Sequence, residues 1–466
     1  MTGGRTVLDL FCGAGGSSTG LAAAGIQVVM AANHWRLAVD VHQANHPTTD
    51  HDCADIAAVD PRRYPATDWL WASPECTNHS VANGRRRHTG QTELFDNPDD
   101  PGATRSRVTM WDVPRFTETM TDRGHPYQTV IVENVVDVRW WVGWRGWIAV
   151  MHDLGYTHQA VYLNSAFAHG TDYPGAPQYR DRLYIVFTRR GLPAPDLDIR
   201  PPGWCPTCQT PVGAVQTWKR PEVRWGRYRA QYLYRCPNPG CATAVQPYTL
   251  PAAAIIDWTR PGQRIADRTR PLAPATRDRI RAGLARHGQP APTPAGEPWQ
   301  HDAATPGSPP PADTSRGADG MACGEPFLLR LRGGGERRRA HSLTTPLGTV
   351  TAGGEHHALI TSGPPAGALL VPYYRTGTAT PVSQPASTCT TRDRHALLTP
   401  DQVTDPDIDA CTFRMLTPDE VRGAMAFPTG YQLAGRRGDR MRMLGNAVTP
   451  PAARLLAERL LAALAA

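Results

Sequence analysis

Thr6-Val-Leu-Asp-Leu-Phe-Cys-Gly-Ala-Gly-Gly16 reads as an apolar strand that runs into a glycine-rich turn, with Ser17-Ser18 opening a helix directly after it. Glycines at such a turn let the backbone approach a ligand at the carboxyl end of a first strand, where doubly wound sheets bind cofactors. A tight turn without ligand explains this stretch alone nearly as well. Outward from it, short apolar runs at 5–10, 27–32, 69–72, 129–132 and 182–187 alternate with helical patterns such as 17–24 and 35–45. That alternation predicts an α/β fold, a Rossmann-like mixed sheet with helices on both faces, spanning residues 1–190.

Several of these strands end in reactive side chains. Trp71-Ala-Ser-Pro-Glu-Cys76-Thr-Asn-His79 places a thiol just beyond one strand and ahead of a basic loop containing Arg85, Arg86 and Arg87. Another strand ends in Glu133-Asn134-Val135, and a third is preceded by Gln178-Tyr-Arg180-Asp-Arg182. The carboxyl edge of the sheet is thereby expected to gather a thiol, a carboxylate and two guanidinium groups.

The order DLFCGAGG, PEC, ENV, QYRDR, RMLTPDE with FP, and GNAVTP resembles the cytosine-5 DNA methyltransferases, which use S-adenosylmethionine. The resemblance covers about 1–190 and 411–466, and the stretch between corresponds to that family's variable target-recognition region. It implies Cys76 as the nucleophile at carbon 6 of cytosine, making carbon 5 enamine-like. It also implies Glu133 at ring nitrogen 3, where a dry pocket favours the protonated carboxyl, and Arg180 and Arg182 as groups that orient and polarise the base. The target carbon is buried in a stacked duplex, so the base is expected to be flipped out. The loop from Asn78 to about Arg107 is expected to close over it. For the cofactor, the resemblance implies Asp9, Phe11, Gly13 and Gly15 around the methionine and adenine, Trp35 on the adenine face and Asp55 on its amine. Asn446 and Val448 fall near the methionine end; Trp35 and Asp55 also fit an ordinary core aromatic and a helix cap.

This chain departs from the family pattern in two places. Glu75 and Thr77 flank the cysteine where the family has Pro and Gln, and a neighbouring carboxylate disfavours a thiolate. His34 stands where the family presents an acidic residue to the ribose hydroxyls; an imidazole bonds a hydroxyl more weakly than a carboxylate. Three alternatives to a DNA methyltransferase stay open at this stage. They are an RNA cytosine-5 methyltransferase, transfer of a modified group from an S-adenosylmethionine analogue, and a non-catalytic DNA-binding relative.

Between residues 191 and 287 the composition turns to Pro, Cys, Trp and Arg. There Cys205-x2-Cys208 and Cys236-x4-Cys241 have the spacing of a structural Zn2+ site in a zinc ribbon. Arg224-Trp-Gly-Arg-Tyr-Arg229 between the two knuckles suits phosphate contact with stacking, and equally a packed ribbon strand. Residues 288–320 read as a Pro/Ala-rich linker. Residues 321–410 are expected to be a mainly β recognition region with a weak tandem repeat (His357-Ala-Leu and His395-Ala-Leu), and 411–466 to complete the catalytic domain. Trp140, Trp141, Trp144 and Trp147 read as helix packing. Basic residues exceed acidic ones by 49 − 42 = 7, and Lys219 is the only lysine. Arginine suits phosphate and guanine contacts, although a GC-rich genome accounts for the bias as readily. Without a secretory signal or membrane span, the expected setting is the cytoplasm. The expected partner is double-stranded DNA, with no membrane and no obligatory protein partner.

Overall fold

The computed structural model describes residues 4–75, 101–287 and 408–465, together with the backbone of strands between 327 and 399. Seven strands form the main sheet: β1 (Thr6–Leu10), β2 (Gln27–Asn33), β3 (Asp50–Cys53), β4 (Trp69–Ala72), β5 (Thr129–Asn134), β6 (Tyr156–Asn164) and β8 (Asp181–Arg189). The two-residue strand β7 (Gln178–Tyr179) lies outside it and pairs with Leu347–Gly348. The order is β3-β2-β1-β4-β5-β8-β6. The first five are parallel, and β8 runs antiparallel to both β5 and β6. The expected mixed sheet is therefore present. β4 (Trp-Leu-Trp-Ala) is apolar throughout, β5 is apolar up to Val132 and ends in Glu133 and Asn134, and both strands are buried along their length, as a sheet covered on both faces requires.

The chain leaves β1 toward β2 and β3 and then returns to the other side of β1 with β4. The resulting switch point opens a crevice at the carboxyl ends of β1 and β4, where ligands bind in such sheets. Helices α1 (Gly16–Ala23), α2 (Arg36–Asn45), α3 (Pro101–Asp122) and α4 (Trp144–Asp153) cover the sheet. Met110, Val113, Phe116 and Met120 of α3 share one core with Trp144, Trp147 and Met151 of α4. Trp141, Trp144 and Trp147 are buried, as their packing role requires, whereas Trp140 is exposed with its ring against Trp225. α3 starts at Pro101, so the last residues assigned to the closing loop by sequence are helical. Residues 76–100 lie outside the described residues.

Beyond β8, strands β9 (Pro202–Cys205) and β10 (Thr210–Gly213) form a hairpin, and β11 (Val215–Trp218), β12 (Tyr232–Arg235) and β13 (Ala244–Val245) form a three-stranded sheet. α5 (Pro274–His287) follows, and its Arg277 pairs with Asp409. A second large sheet contains Phe327–Arg330, His357–Thr361, Leu369–Pro372, His395–Thr399 and Thr412–Met415. The two halves of the sequence repeat each supply a strand pair: Phe327–Arg330 with His357–Thr361, and Leu369–Pro372 with His395–Thr399. Thr412–Met415 pairs with both repeat strands that begin at His.

The C-terminal segment returns to the first sheet through α6 (Pro418–Ala424), α7 (Arg437–Asn446) and α8 (Pro450–Ala465). α6 begins with a full capping box between Thr417 and Glu420. α8 packs its Leu455, Leu456 and Leu460 on Val7, Leu21 and Val28. Close approach demands glycine here: a Cβ on Gly16 would lie 1.9 Å from the carbonyl oxygen of Val448.

Candidate active site and metal centre

The β-sheet register brings the predicted residues to one edge. Leu10 pairs with Ala32 and Ala72, and Ala72 with Val132. The next residue along each strand, Phe11, Asn33, Ser73 and Glu133, therefore sits on the same rim, one step before His34, Pro74 and Asn134. β8 enters that rim from the opposite direction, which puts Arg180 and Arg182 beside the end of β5.

Glu133 and Arg182 form the centre of this rim. Arg182 Nε donates to Glu133 Oε1 at 2.9 Å, and each side chain is only 9 % exposed. Burial pushes the Glu133 carboxyl above the usual carboxylate range, and Arg182 and then Arg180 pull against that shift. Arg180 is directed elsewhere. Its guanidinium donates to the carbonyls of Gly445 at 3.2 Å and Ala447 at 2.7 Å, tying the rim to the end of α7. Asn134 Nδ2 donates to the Pro74 carbonyl at 3.3 Å, which links the end of β5 to the segment leading into Cys76. Cys76 and Thr77 themselves lie outside the described residues.

The two departures from the family pattern meet each other. His34 Nδ1 lies 3.4 Å from Glu75 Oε1, across the ends of β2 and β4, with both side chains about a third exposed (34 % and 28 %). The Glu75 carboxylate is thus faced by an imidazole, away from β5.

On the side expected to hold the cofactor, Phe11, Gly13 and Gly15 take left-handed backbone conformations with φ of 58°, 53° and 87°. The turn curls above the switch point, and α1 begins at Gly16 without a side-chain cap. The first N–H groups of a helix start without a side-chain cap suit a carboxylate. Asp9 is completely buried and accepts from Ser17 Oγ and Ser18 Oγ, each at 2.6 Å. Its Oδ1 has no hydrogen-bond partner among the described residues. Desolvation outweighs the two serines and pushes its carboxyl up to about 6. Sequence inspection overlooked the continuation of this network: Ser18 Oγ lies 2.9 Å from His42 Nε2, whose Nδ1 lies 2.8 Å from His51 Nε2. Trp35 is half-buried with the Arg442 guanidinium over its ring at 4.5 Å. Asp55 caps a short 3-10 turn by accepting from the Ala57 N–H at 3.3 Å. Val448 is buried, and Asn446 is exposed at the end of α7.

Cys205, Cys208, Cys236 and Cys241 converge, with all four sulfurs within 4.8 Å of one another. The Cys205–Cys241 and Cys208–Cys236 sulfurs are 3.6 and 3.9 Å apart. A tetrahedral ion with metal–sulfur bonds of about 2.3 Å needs sulfur separations of roughly 3.8 Å, so the donor set fits zinc. Each knuckle turns back through a left-handed residue directly after its second cysteine, Gln209 (φ 48°) and Ala242 (φ 47°). The Cys208 N–H donates to Cys205 Sγ at 3.4 Å, which supports charge on that sulfur.

Comparison with known proteins places this geometry in context. The sequence model described as C-5 cytosine-specific DNA methylase matches residues 5–211 and 364–462, well over half of the chain. Among curated proteins, the Type II methyltransferase M.HgiDI of Herpetosiphon aurantiacus is 28% identical over 187 residues, 40% of this chain and 52% of that protein. M.HgiBI, a Type II methyltransferase of the same organism, is 31% identical over 188 residues, covering 40% of this chain and 37% of that protein. The chain thus aligns with about half or less of the length of these relatives. A crystal structure of a DNMT2 mutant from Spodoptera frugiperda aligns over 99% of this chain and 100% of that one, at 14% identity and a TM-score of 0.47.

Proposed function

This chain belongs to the C-5 cytosine-specific DNA methylase family, and from that membership we propose that it methylates carbon 5 of a flipped-out cytosine in double-stranded DNA, using S-adenosylmethionine. S-adenosylmethionine supplies the methyl group as a sulfonium electrophile. The observation that carries the reading is the buried Glu133–Arg182 pair at the rim where the segment containing Cys76 leaves the sheet.

In this reading the Cys76 thiolate bonds to carbon 6 of cytosine and the 5,6 double bond opens, which turns carbon 5 into a nucleophile. Glu133 hydrogen-bonds ring nitrogen 3 and stabilises the charge that develops there. Burial, which raises its pKa against the pull of Arg182, supports uptake of a proton by the carboxylate as that bond forms. Arg182 orients the carboxyl, and Arg180 fixes the adjoining chain to the carbonyls after α7. After methyl transfer, loss of the carbon 5 proton restores the double bond as the thiolate departs. Asp9, Phe11, Gly13, Gly15, His34, Trp35, Asp55, Asn446 and Val448 would hold the donor. Cys205, Cys208, Cys236 and Cys241 hold a structural Zn2+.

The covalent step has a direct test. In duplex DNA with 5-fluorocytosine at target sites, fluorine replaces the departing proton and the adduct persists. Incubation with S-adenosylmethionine should leave a DNA adduct that peptide mass spectrometry maps to Cys76. An adduct on fluorinated RNA alone would move the substrate to RNA, and no adduct on either would contradict the nucleophile.

A further inference from the structure

Two consecutive residues of the zinc ribbon grip the chain on either side of the Glu133–Arg182 pair. The Arg227 guanidinium pairs with the carboxylate of Asp137, a buried residue on the 3-10 turn Val136–Trp140 that continues directly from the segment ending β5. The Tyr228 N–H donates to Asp181 Oδ1 at 3.0 Å, at the first residue of β8. Asp181 precedes Arg182, which in turn donates through Nη1 to the Asp181 carbonyl at 2.9 Å. Arg227 thus grips the chain four residues after Glu133, and Tyr228 grips it one residue before Arg182. We infer that the zinc ribbon braces the Glu133–Arg182 pair, with Arg227 as a positioning residue for methyl transfer; this rests on the function proposed above.

The loop that carries the two residues is itself held tightly. Gly226 has a φ of 144°, and a Cβ there would lie 2.3 Å from the Gln231 side chain. The Arg227 N–H donates to Gln231 Oε1 at 2.8 Å, and the Arg229 N–H to the Tyr232 carbonyl at 2.8 Å. Tyr232 begins β12, and the residue after β12 is the ligand Cys236. A metal that fixes Cys236 therefore fixes the strand on which the gripping loop is anchored. The ribbon's aromatic face is continuous with the catalytic core. Tyr228 lies 4.7 Å from Phe167 between ring centroids, Trp218 lies 5.4 Å from Tyr162, and Trp225 lies 4.6 Å from Trp140. Gln216 Nε2 adds a bond to the Tyr162 carbonyl at 2.9 Å. Arginine and aromatic residues alternating from Arg224 to Arg229 are thus used largely against the protein. Asp137 is 5 % exposed in its side chain, so removing Arg227 takes a counter-charge from a buried carboxylate and loosens the hold on the turn behind Glu133. Misplacement of a reacting group by an ångström costs about 100-fold in rate.

The test measures single-turnover methyl transfer at saturating DNA, and DNA affinity separately, for wild type, Arg227→Ala, Arg227→Lys, Asp137→Asn and the double variant Arg227→Ala/Asp137→Asn. The brace predicts that Arg227→Ala loses roughly 10- to 100-fold in rate while DNA affinity stays within about twofold. Arg227→Lys should regain part of the rate, and the double variant should be no slower than Arg227→Ala. A weakened DNA affinity with an unchanged saturating rate would overturn the proposal and make Arg227 a DNA contact. Hydrogen exchange on wild-type protein after zinc chelation supplies a readout that survives an unstable variant or an inactive enzyme. Residues 133–138 and 181–184 should lose protection together with the ribbon. If the ribbon alone loses protection, the brace is wrong. Wild-type protein that transfers no methyl group would contradict the proposed function, and the exchange experiment would still decide the brace.

Discussion

Two acid–base pairs stand at the carboxyl edge of the same sheet in opposite surroundings. Glu133–Arg182 is closed off at 9 % exposure on both sides with a 2.9 Å contact, whereas His34–Glu75 is open to solvent by about a third at 3.4 Å. Water screens the second contact and leaves the first to the protein, so two contacts at the same sheet edge carry unequal consequences. Breaking a buried pair leaves a charge that nothing solvates, which costs about 3–5 kcal/mol, while exposed pairs contribute about 1 kcal/mol or less. The buried pair occupies the position assigned to chemistry, and the open pair occupies the positions where this chain departs from its family's pattern.

The largest expected effects attack the chemistry beside the buried pair. Cys76→Ala should abolish methyl transfer in a product assay, and Glu133→Gln should lower the single-turnover rate by roughly 10²–10⁴-fold with donor binding retained. A Glu133→Gln enzyme of wild-type rate would remove the carboxyl from the mechanism. Next, Arg182→Met should destabilise the protein by about 3–5 kcal/mol in urea titration. Adding Glu133→Gln to that variant should restore part of the loss, because the orphaned charge is gone. If the double variant is no more stable than Arg182→Met, the buried pair is not the source of the cost.

Asp9, the buried carboxyl just before the glycine-rich turn, makes the third contrast. Its pKa is raised from 3.8 to about 6, so the native state holds this proton more tightly than the unfolded chain. The sign follows: its most favourable contribution is present below pH 3.8 and falls as pH rises through about 6, by ~3 kcal/mol in all. Stability measured between pH 4 and 7 should decline less steeply in Asp9→Asn than in wild type. An unchanged slope would assign the titration to another group. The smallest effect belongs to the open pair: His34→Ala and Glu75→Ala should each change stability by no more than about 1 kcal/mol, and less in high salt. A loss of several kcal/mol in either variant would break the contrast between the two pairs.

Local sequence pattern carried most of the sheet. The apolar runs before Phe11, Ser73 and Glu133 announce strands, and the turn residues after Leu10 announce where the chain leaves β1. The placement of those three positions on one rim follows from parallel pairing that the spacing already implied. What local pattern does not encode is contact across long sequence separations. Arg227 and Asp137 are 90 positions apart, and Tyr228 and Asp181 are 47 apart, so the arginines of 224–229 fitted phosphate contact as well as packing. Arg180 reaches Gly445 and Ala447 over 265 and 267 positions, a clasp visible only once α7 has docked. His34 and Glu75 each looked like an isolated departure, because β1 lies between their strands. The four cysteines were the opposite case: two short knuckles with fixed spacing point locally to a metal-binding donor set, and the fold needed only to bring the pairs together.

The central claim is tested most directly by incubating the purified protein with duplex DNA and S-adenosylmethionine, digesting the DNA and measuring nucleosides by mass spectrometry. The account predicts that 5-methylcytosine appears with wild type and is absent with Cys76→Ala. Equal amounts with both proteins, or no modified cytosine from a folded, zinc-loaded and DNA-bound wild type, would contradict it.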